Sequence, residues 1–422
     1  MTEHDASNRS LHPLKPVLII TYHYQPENVP SVMRVQWFNK HLPASGYSVQ
    51  VLSASTTAWS IRPGQEVPER GVCRTPASRW QKKLLHYTNI FTTIVTHRCQ
   101  ASDYGLGWLP WGLAAAHRVL AKHPTCVVVS SSPSIVSHLV ALALKKRHGV
   151  RWIADFQDPL VGNPSIKANR LGNVWNSKVE HAIFERADRL VANTDTVAEM
   201  WRQRYPQWSG KFAVIWNGYD GDEPCPLPRP TSREHRVLAH VGSLYLPRHP
   251  GALLDSVQRL AASGQWDEHR VKLRLVGPFD SQAALDPAQI RALVEQGRLE
   301  IRNERVPRQV ALQETADSDY LLLLDASTAL QVPCKIYDYL RTGRPILAFT
   351  TRNSPVERIL ARSGVRHLCL CDGSTPREVD EGLVAFLAQP TDPTTPAPWF
   401  RETFEARALA RALADLIHSI DR

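Results

Sequence analysis

Residues 331–349, QVPCKIYDYLRTGRPILAF, gather more chemistry than any other stretch of this 422-residue chain. Pro333, Cys334, Lys335 and Asp338 read as the opening of a helix, and Gly343-x-Pro345 with its apolar run reads as a helix stop and a buried strand. The first N–H groups of a helix lack partners within it, and the aligned peptide dipoles add partial positive charge, so such an opening is a seat for a diphosphate. Lys335 in the first turn opposes that dipole unless an anion lies beside it. One turn on, Asp338 offers two oxygens to vicinal hydroxyls such as those of a ribose. The same residues also read as an ordinary amphipathic helix with Ile336, Tyr339 and Leu340 in the core and two solvated charges. The stretch alone does not separate these readings.

Further candidates lie where apolar runs end. Asp155 and Asp158 follow the run at 152–154, so they emerge at the carboxyl end of a strand, where carboxylates can accept a proton or orient hydroxyls; a turn start and a loop cap are the structural alternative. Ser131, Ser132 and Pro133 end another strand and precede a helix, giving hydroxyl and N–H donors at the same rim. Gly242 and Ser243 close a third, Arg248 follows with a fork of donors suited to a diphosphate, and Gly277 ends a fourth. The turn YHYQPENVPS after the first strand has no GxGxxG, and the chain has no GxxxxGK[ST] loop and no GxSxG elbow, which argues against a dehydrogenase, a P-loop enzyme and a serine hydrolase. Asp317-x-Asp319 and the pair Asp220 and Asp222 read as turn residues rather than metal ligands.

Positioning these groups takes two successive series of buried strand and helix. The first has strands at 17–21, 49–52, 126–130, 152–154, 190–192 and 212–216, with helices at 113–122, 134–147 and 173–186 and another carrying Val32, Val35, Phe38 and Leu42. After the turn signal Asn217-Gly218, a Pro- and charge-rich linker at 222–236 leads to strands at 237–241, 271–276, 299–302, 320–324, 345–349 and 367–370. Helices are expected near 250–263, 287–297, 308–316, 333–342, 354–363 and 375–388, and a final one at 400–420. Strands this apolar, alternating with helices, imply parallel sheets covered on both faces. The expected organisation is α/β: a doubly wound, Rossmann-like domain at 1–221, the linker at 222–236, a second such domain at 237–390, and a C-terminal helical segment at 391–422. Ligands of such sheets bind at the carboxyl ends of the strands, here in a central cleft.

The composition, 43% hydrophobic and 21% charged, is that of a globular protein. Apolar runs are shorter than the roughly 20 residues that cross a bilayer, and the N-terminal residues lack a signal-peptide pattern, so a cytoplasmic location is expected. Seven cysteines without CxxC spacing read as free thiols. The net charge of +10 asks for an anionic partner. Zinc-finger, RNP-like and basic recognition-helix patterns are missing, which leaves sugar diphosphates and anionic lipid ahead of nucleic acid. Basic residues cluster at Lys145, Lys146, Arg147 and Arg151, and at Arg79, Lys82 and Lys83. The latter precede an amphiphilic stretch at 84–95 containing Tyr87 and Phe91, which is either a membrane-surface element or a solvated face beside a core helix.

The segment PCKIYDYLRTGRP resembles the sugar-nucleotide-binding segment of family-4 glycosyltransferases, usually Pro-Ser/Gly-Lys-x-x-Glu-Tyr-Leu-Ala-x-Gly-x-Pro. SDYGLGW at 102–108, SSSP at 130–133, RWIADFQDPL at 151–160, VIWNGYD at 214–220 and GSLYLPRHP at 242–250 resemble, in that order, a bacterial subfamily of it. The resemblance covers about 17–370 and implies a GT-B fold with two Rossmann-like domains, the C-terminal helix at 391–422 packing back toward the first. It implies retaining transfer of a sugar from a nucleoside diphosphate, a UDP- or GDP-sugar, to a glycan or lipid-linked envelope precursor, with no cofactor and no tightly bound metal. Residue by residue it implies nucleotide-sugar contacts at Gly242, Ser243, Arg248, Gly277, Val306, Cys334, Lys335 and Asp338, catalytic carboxylates at Asp155 and Asp158, and acceptor-side positions at Arg34, Ser132 and Pro133. Peripheral attachment to the inner face of a membrane would follow from such an acceptor. The pattern departs from the family at Asp338, where Glu is usual, at Leu330, where many members carry an earlier Glu, and at Glu27-Asn28-Val29-Pro30, where a Gly pair is common. These departures keep open a nucleotide-sugar epimerase of the same fold and a glycosyltransferase-like protein that binds without turnover.

Overall fold

A computed structural model of the protein describes residues 14–25, 27, 30–54, 71–76, 78–98, 105–163, 169–229, 234–244, 249–279, 285–325 and 329–421. The chain forms two compact units. The first comprises Met1–Asn193, Trp201–Ile215 and Leu409–Arg422, and the second Thr194–Met200 and Trp216–Ala408.

In the first unit the elements run β1 (Lys15–Thr21), α1 (Pro30–His41), β2 (Tyr47–Ala54), β3 (Val72–Thr75), α2 (Arg79–Arg98), α3 (Leu109–Lys122), β4 (Val127–Ser131), α4 (Val136–His148), β5 (Trp152–Phe156), α5 (Arg170–Arg186), β6 (Arg189–Ala192), α6 (Asp195–Arg204, of this unit from Trp201 on) and β7 (Phe212–Val214). Those of the second are β8 (Arg236–Val241), α7 (Gly251–Ala262), α8 (Gln265–Glu268), β9 (Val271–Val276), α9 (Pro287–Glu295), β10 (Leu299–Arg302), α10 (Arg308–Ala316), β11 (Tyr320–Asp325), α11 (Lys335–Thr342), β12 (Ile346–Thr350), α12 (Pro355–Ser363), β13 (His367–Cys371), α13 (Pro376–Leu387) and α14 (Pro398–Phe404), and the chain ends in α15 (Ala406–Ile420), which from Leu409 on belongs to the first unit.

All strand pairs are parallel, in the orders β3-β2-β1-β4-β5-β6-β7 and β10-β9-β8-β11-β12-β13. Each order reverses once, between β1 and β4 and between β8 and β11, and these switch points are where doubly wound sheets open a crevice for ligand. Every residue of β11, YLLLLD, is buried. Alternation sends Leu322 and Leu324 into a cluster with Leu253, Trp266 and Phe386, and Leu321 and Leu323 into another with Ile336, Tyr339 and Ile359, so both faces are covered.

Three features depart from the sequence expectation. β3 is a four-residue edge strand, too short to show a period, and it pairs Val51 with Val72 through Ala54 with Thr75. The final helix is two helices: Glu405 is extended (φ −70°, ψ 139°) and bridges Tyr219, whose N–H donates to the Phe404 carbonyl (3.1 Å) while Ala406 N–H donates back (2.9 Å). The strand at 212–216 stops at Val214.

Candidate functional site

In the second unit β8 and β9 end side by side in glycine. Gly242 (φ 136°) and Gly277 (φ 135°) lie in the region that L side chains avoid. Gly242 N–H donates to the Val276 carbonyl (2.7 Å) and Gly277 N–H to the Arg302 carbonyl (2.9 Å). A Cβ on Gly277 would run into the Gly242 carbonyl, and one on Gly242 would sit 2.5 Å from Lys335 Nζ. The glycines therefore form a notch of bare backbone with the lysine head directly over it.

His240, buried in β8, holds that head. Its Nδ1 is 3.0 Å from the Leu322 carbonyl of β11 and its Nε2 is 2.8 Å from Lys335 Nζ. A carbonyl can only accept, so in the neutral ring Nδ1 carries the proton and Nε2 presents its lone pair to the ammonium. The imidazole thus spans the switch point between β8 and β11. One turn further along α11, the buried Tyr339 hydroxyl accepts from the Val241 N–H (3.0 Å), and burial pushes its pKa up, keeping it neutral. This contact ties the start of α11 to the end of β8.

The helix opening itself differs from expectation. Ile336 N–H donates to Pro333 (3.0 Å) and Tyr337 N–H to Cys334 (3.2 Å), so two of the early amides close a tight turn, and Cys334 makes no side-chain cap. Positive potential here comes more from the Lys335 ammonium than from a row of orphan N–H groups. Ser243 is half-buried beside Gly242, and Val306 packs on Val237, Ala239, Val241 and Val276 at this end of the sheet. Arg248 lies outside the described residues.

Asp338 is placed differently from the ribose contact expected of it. Arg308 donates to both of its oxygens (3.2 and 3.1 Å) and to both of those of Glu223 (3.0 and 2.7 Å), while Arg341 stands 4.0 Å from Asp338 and 3.8 Å from Glu223. Burial pushes the Asp338 carboxyl up against the pull of Arg308. Burial also opposes the charge on Arg308, but its bonds to Glu223 and Asp338 outweigh that and raise its pKa. The two carboxylates and two guanidiniums tie α10 and α11 to the segment after β7, so a hydroxyl would have to compete with Arg308.

In the first unit Asp155 ends β5 but does not open to solvent. It is 1% exposed and Arg34, from α1, is fully buried. Arg34 Nε lies 3.2 and 3.0 Å from the two carboxylate oxygens, and its terminal nitrogen donates to Oδ1 (2.7 Å) and to the Ile215 carbonyl (3.0 Å). Ser131 Oγ donates to Oδ2 (2.8 Å). A carboxylate enclosed by a forked cation and a hydroxyl does not serve as a general base, so both the catalytic role expected of Asp155 and the acceptor contact expected of Arg34 give way to a structural pair. Ser132 Oγ accepts from the Gln157 N–H (2.9 Å). Pro133 is exposed and Asp158 half-buried in the bend after β5, so of the residues named for this rim these two retain access. Asp317, bound by Arg229, and Asp319, which accepts from Val237 N–H (2.8 Å), lie at the opposite, amino-terminal edge of the second sheet.

Sequence reasoning missed His240, Arg308 and Glu223. The signal for His240 was a polar residue two positions before Gly242 in an otherwise apolar strand.

Residues 32–223 match the profile of Glycosyltransferase Family 4. No curated protein matches the chain. Among solved structures, sucrose-phosphate synthase from Thermosynechococcus elongatus is similar at 15% identity and a TM-score of 0.65, covering 96% of this chain and 99% of the other. The lipopolysaccharide outer core galactosyltransferase WaaB in its apo form gives 14%, 0.59, 96% and 99%. HepE of Anabaena in complex with UDP gives 13%, 0.58, 96% and 100%. The chain has the two-domain GT-B fold of these structures, and its residues 32–223 are similar to Glycosyltransferase Family 4.

Proposed function

We propose that the protein transfers a sugar, with retention of anomeric configuration, from a nucleoside-diphosphate sugar to a glycan or lipid-linked envelope precursor. The observation that carries this reading is the Gly242–Gly277 notch at the switch point of the second sheet, with Lys335 fixed over it by His240. A pyrophosphate laid on that backbone meets a fixed cation, and charge building on the departing nucleoside diphosphate is stabilised there without reorganisation. Arg248 is proposed as the second cation, Ser243 and Gly277 as backbone contacts, and Val306 as framing the base. The donor is proposed to be a UDP- or GDP-sugar. HepE, solved with UDP, and WaaB, a galactosyltransferase of lipopolysaccharide, support the donor class and the envelope setting. An acceptor on lipid would be met at a membrane surface.

A thermal-shift screen against UDP-, GDP-, ADP- and TDP-sugars tests the donor, because a ligand preferring the folded state raises its apparent stability. One class is expected to stabilise the wild type and not Lys335→Ala; no stabilisation by any of the four would overturn the reading. The enclosure of Asp155 by Arg34, and of Asp338 by Arg308, favours one second reading, a binder without turnover. Nucleotide release on adding a mixture of envelope glycan acceptors separates the two.

A further inference from the structure

α2 is amphipathic in the wrong sense for a helix whose only partner is its own domain. Trp80, Leu84, Tyr87, Ile90, Phe91, Ile94 and Val95 recur at three- and four-residue spacing along its 20 residues, and each is 44–68% exposed. Thr88 and Asn89 turn inward. Asn89 Nδ2 donates to the Tyr22 hydroxyl (2.8 Å), Thr88 returns its hydroxyl to the Leu84 and Leu85 carbonyls (3.0 Å each), and Gly107 fits against Thr88 and Asn89. Leu85 is buried. A contiguous apolar stripe of this size on one helix marks an interaction surface.

The charge on the same helix selects the occupant. RWQKKLLHYTNIFTTIVTHR contains no Asp or Glu, and Lys82 and Lys83 stand near its start. A second copy of the chain laid on this face offers these lysines no acidic complement from α2. An anionic bilayer satisfies both features: the acyl boundary accepts the Leu, Ile and Phe side chains, the aromatic–polar bodies of Trp80 and Tyr87 suit the headgroup level, and the lysines meet lipid phosphates. No helix among the described residues is long and apolar enough to cross a membrane, so α2 lies in the surface.

We propose that α2 docks the first unit on an anionic membrane surface, with Tyr87 and Phe91 as its central apolar contacts and Lys82 and Lys83 as its electrostatic ones. The inference does not rest on donor binding, and its test uses no nucleotide sugar. The full chain is mixed with vesicles of phosphatidylcholine, alone or with phosphatidylglycerol, and floated through a density gradient. The wild type is expected to float with the phosphatidylglycerol vesicles and to be released by salt. Tyr87→Ser with Phe91→Ser should lower the partition at least about tenfold through lost apolar burial, and Lys82→Ala and Lys83→Ala about fivefold each. Because Tyr87, Phe91 and Lys83 are exposed, their variants should unfold at the wild-type temperature, which separates lost docking from lost folding. Failure of the wild type to float on phosphatidylglycerol vesicles, or equal flotation of the Tyr87→Ser/Phe91→Ser variant, would overturn the proposal. So would a lipid-independent dimer in sedimentation that this double variant dissolves, since the face would then belong to a second copy.

Discussion

Lys335 Nζ stands over the Gly242 backbone, 2.8 Å from His240 Nε2, which is aimed at it from inside the sheet. If the ammonium contacts the donor diphosphate, Lys335→Ala removes a charged hydrogen bond worth about 1.5–3 kcal/mol, so affinity should fall about 10- to 100-fold by calorimetric titration. His240→Phe leaves the ammonium in place but unaimed, and should weaken binding by a smaller factor, about threefold. Both act through one contact, so the double variant should bind about as weakly as Lys335→Ala alone; additive losses would place His240 outside the donor site. The lysine was legible in the sequence because a cation at a helix opening conflicts with the dipole. The histidine was not: in the run VLAHV a lone imidazole reads as core, and its orientation is set by Leu322, 82 residues away.

The helix–strand layers of the first unit bury polar chemistry for architecture, and that too was hidden from local spacing. Arg34 on α1 and Asp155 on β5 are 121 residues apart, so the strand-end position of Asp155 was readable but the cation that encloses it was not. Arg34→Met strands the carboxylate in the core and should cost about 3–5 kcal/mol in denaturant unfolding, whereas replacing both residues by apolar ones of similar volume should recover most of that. A second buried group sets a pH dependence. His138 of α4 lies with its ring centroid 4.2 Å from that of Phe156, and its Nδ1 is 2.7 Å from Ser130 Oγ, which also accepts from Trp152 Nε1. Burial lowers its pKa from 6.5 to about 3, with Asp155 pulling weakly the other way. Between those values the unfolded chain holds a proton that the folded chain refuses, so this contribution is full above 6.5 and is lost as pH falls toward about 3. The slope is about 1.4 kcal/mol per pH unit within the window. His138→Phe should flatten the loss of unfolding free energy between neutral and acidic pH; an unchanged slope would mean that the imidazole protonates in place.

At the scale of the whole chain, the two parallel sheets were legible in continuous apolar runs that only a sheet covered on both faces can bury, whereas their strand orders were not. The route of the C-terminus is a matter of tertiary contact, which no periodicity states. The chain enters the first unit three times, the last time at Leu409–Arg422. There Leu409, Leu413 and Ile417 recur every fourth residue and are at most 2% exposed, Ala410 and Ala414 are buried beside them, and the Ala414 carbonyl accepts from the Tyr47 hydroxyl (3.3 Å). Asp421 pairs with Lys15 at the head of β1 and with Arg151 before β5, but exposed pairs of this kind contribute little. The apolar stripe is what matters. Three large side chains at about 1.5–3 kcal/mol each give an upper bound of about 5–9 kcal/mol, comparable with the 5–15 kcal/mol that holds a typical domain together. A chain ending at Ala408 should therefore lose amide-exchange protection in β1, β2 and β5, while β8, β9 and β11 keep theirs, because the second unit has its own core and loses no residue. Hydrogen exchange read peptide by peptide separates that outcome from its alternative: retained protection in β1 and β2 would show that the first sheet stands without its last segment, and that α15 is an accessory rather than a part of its core.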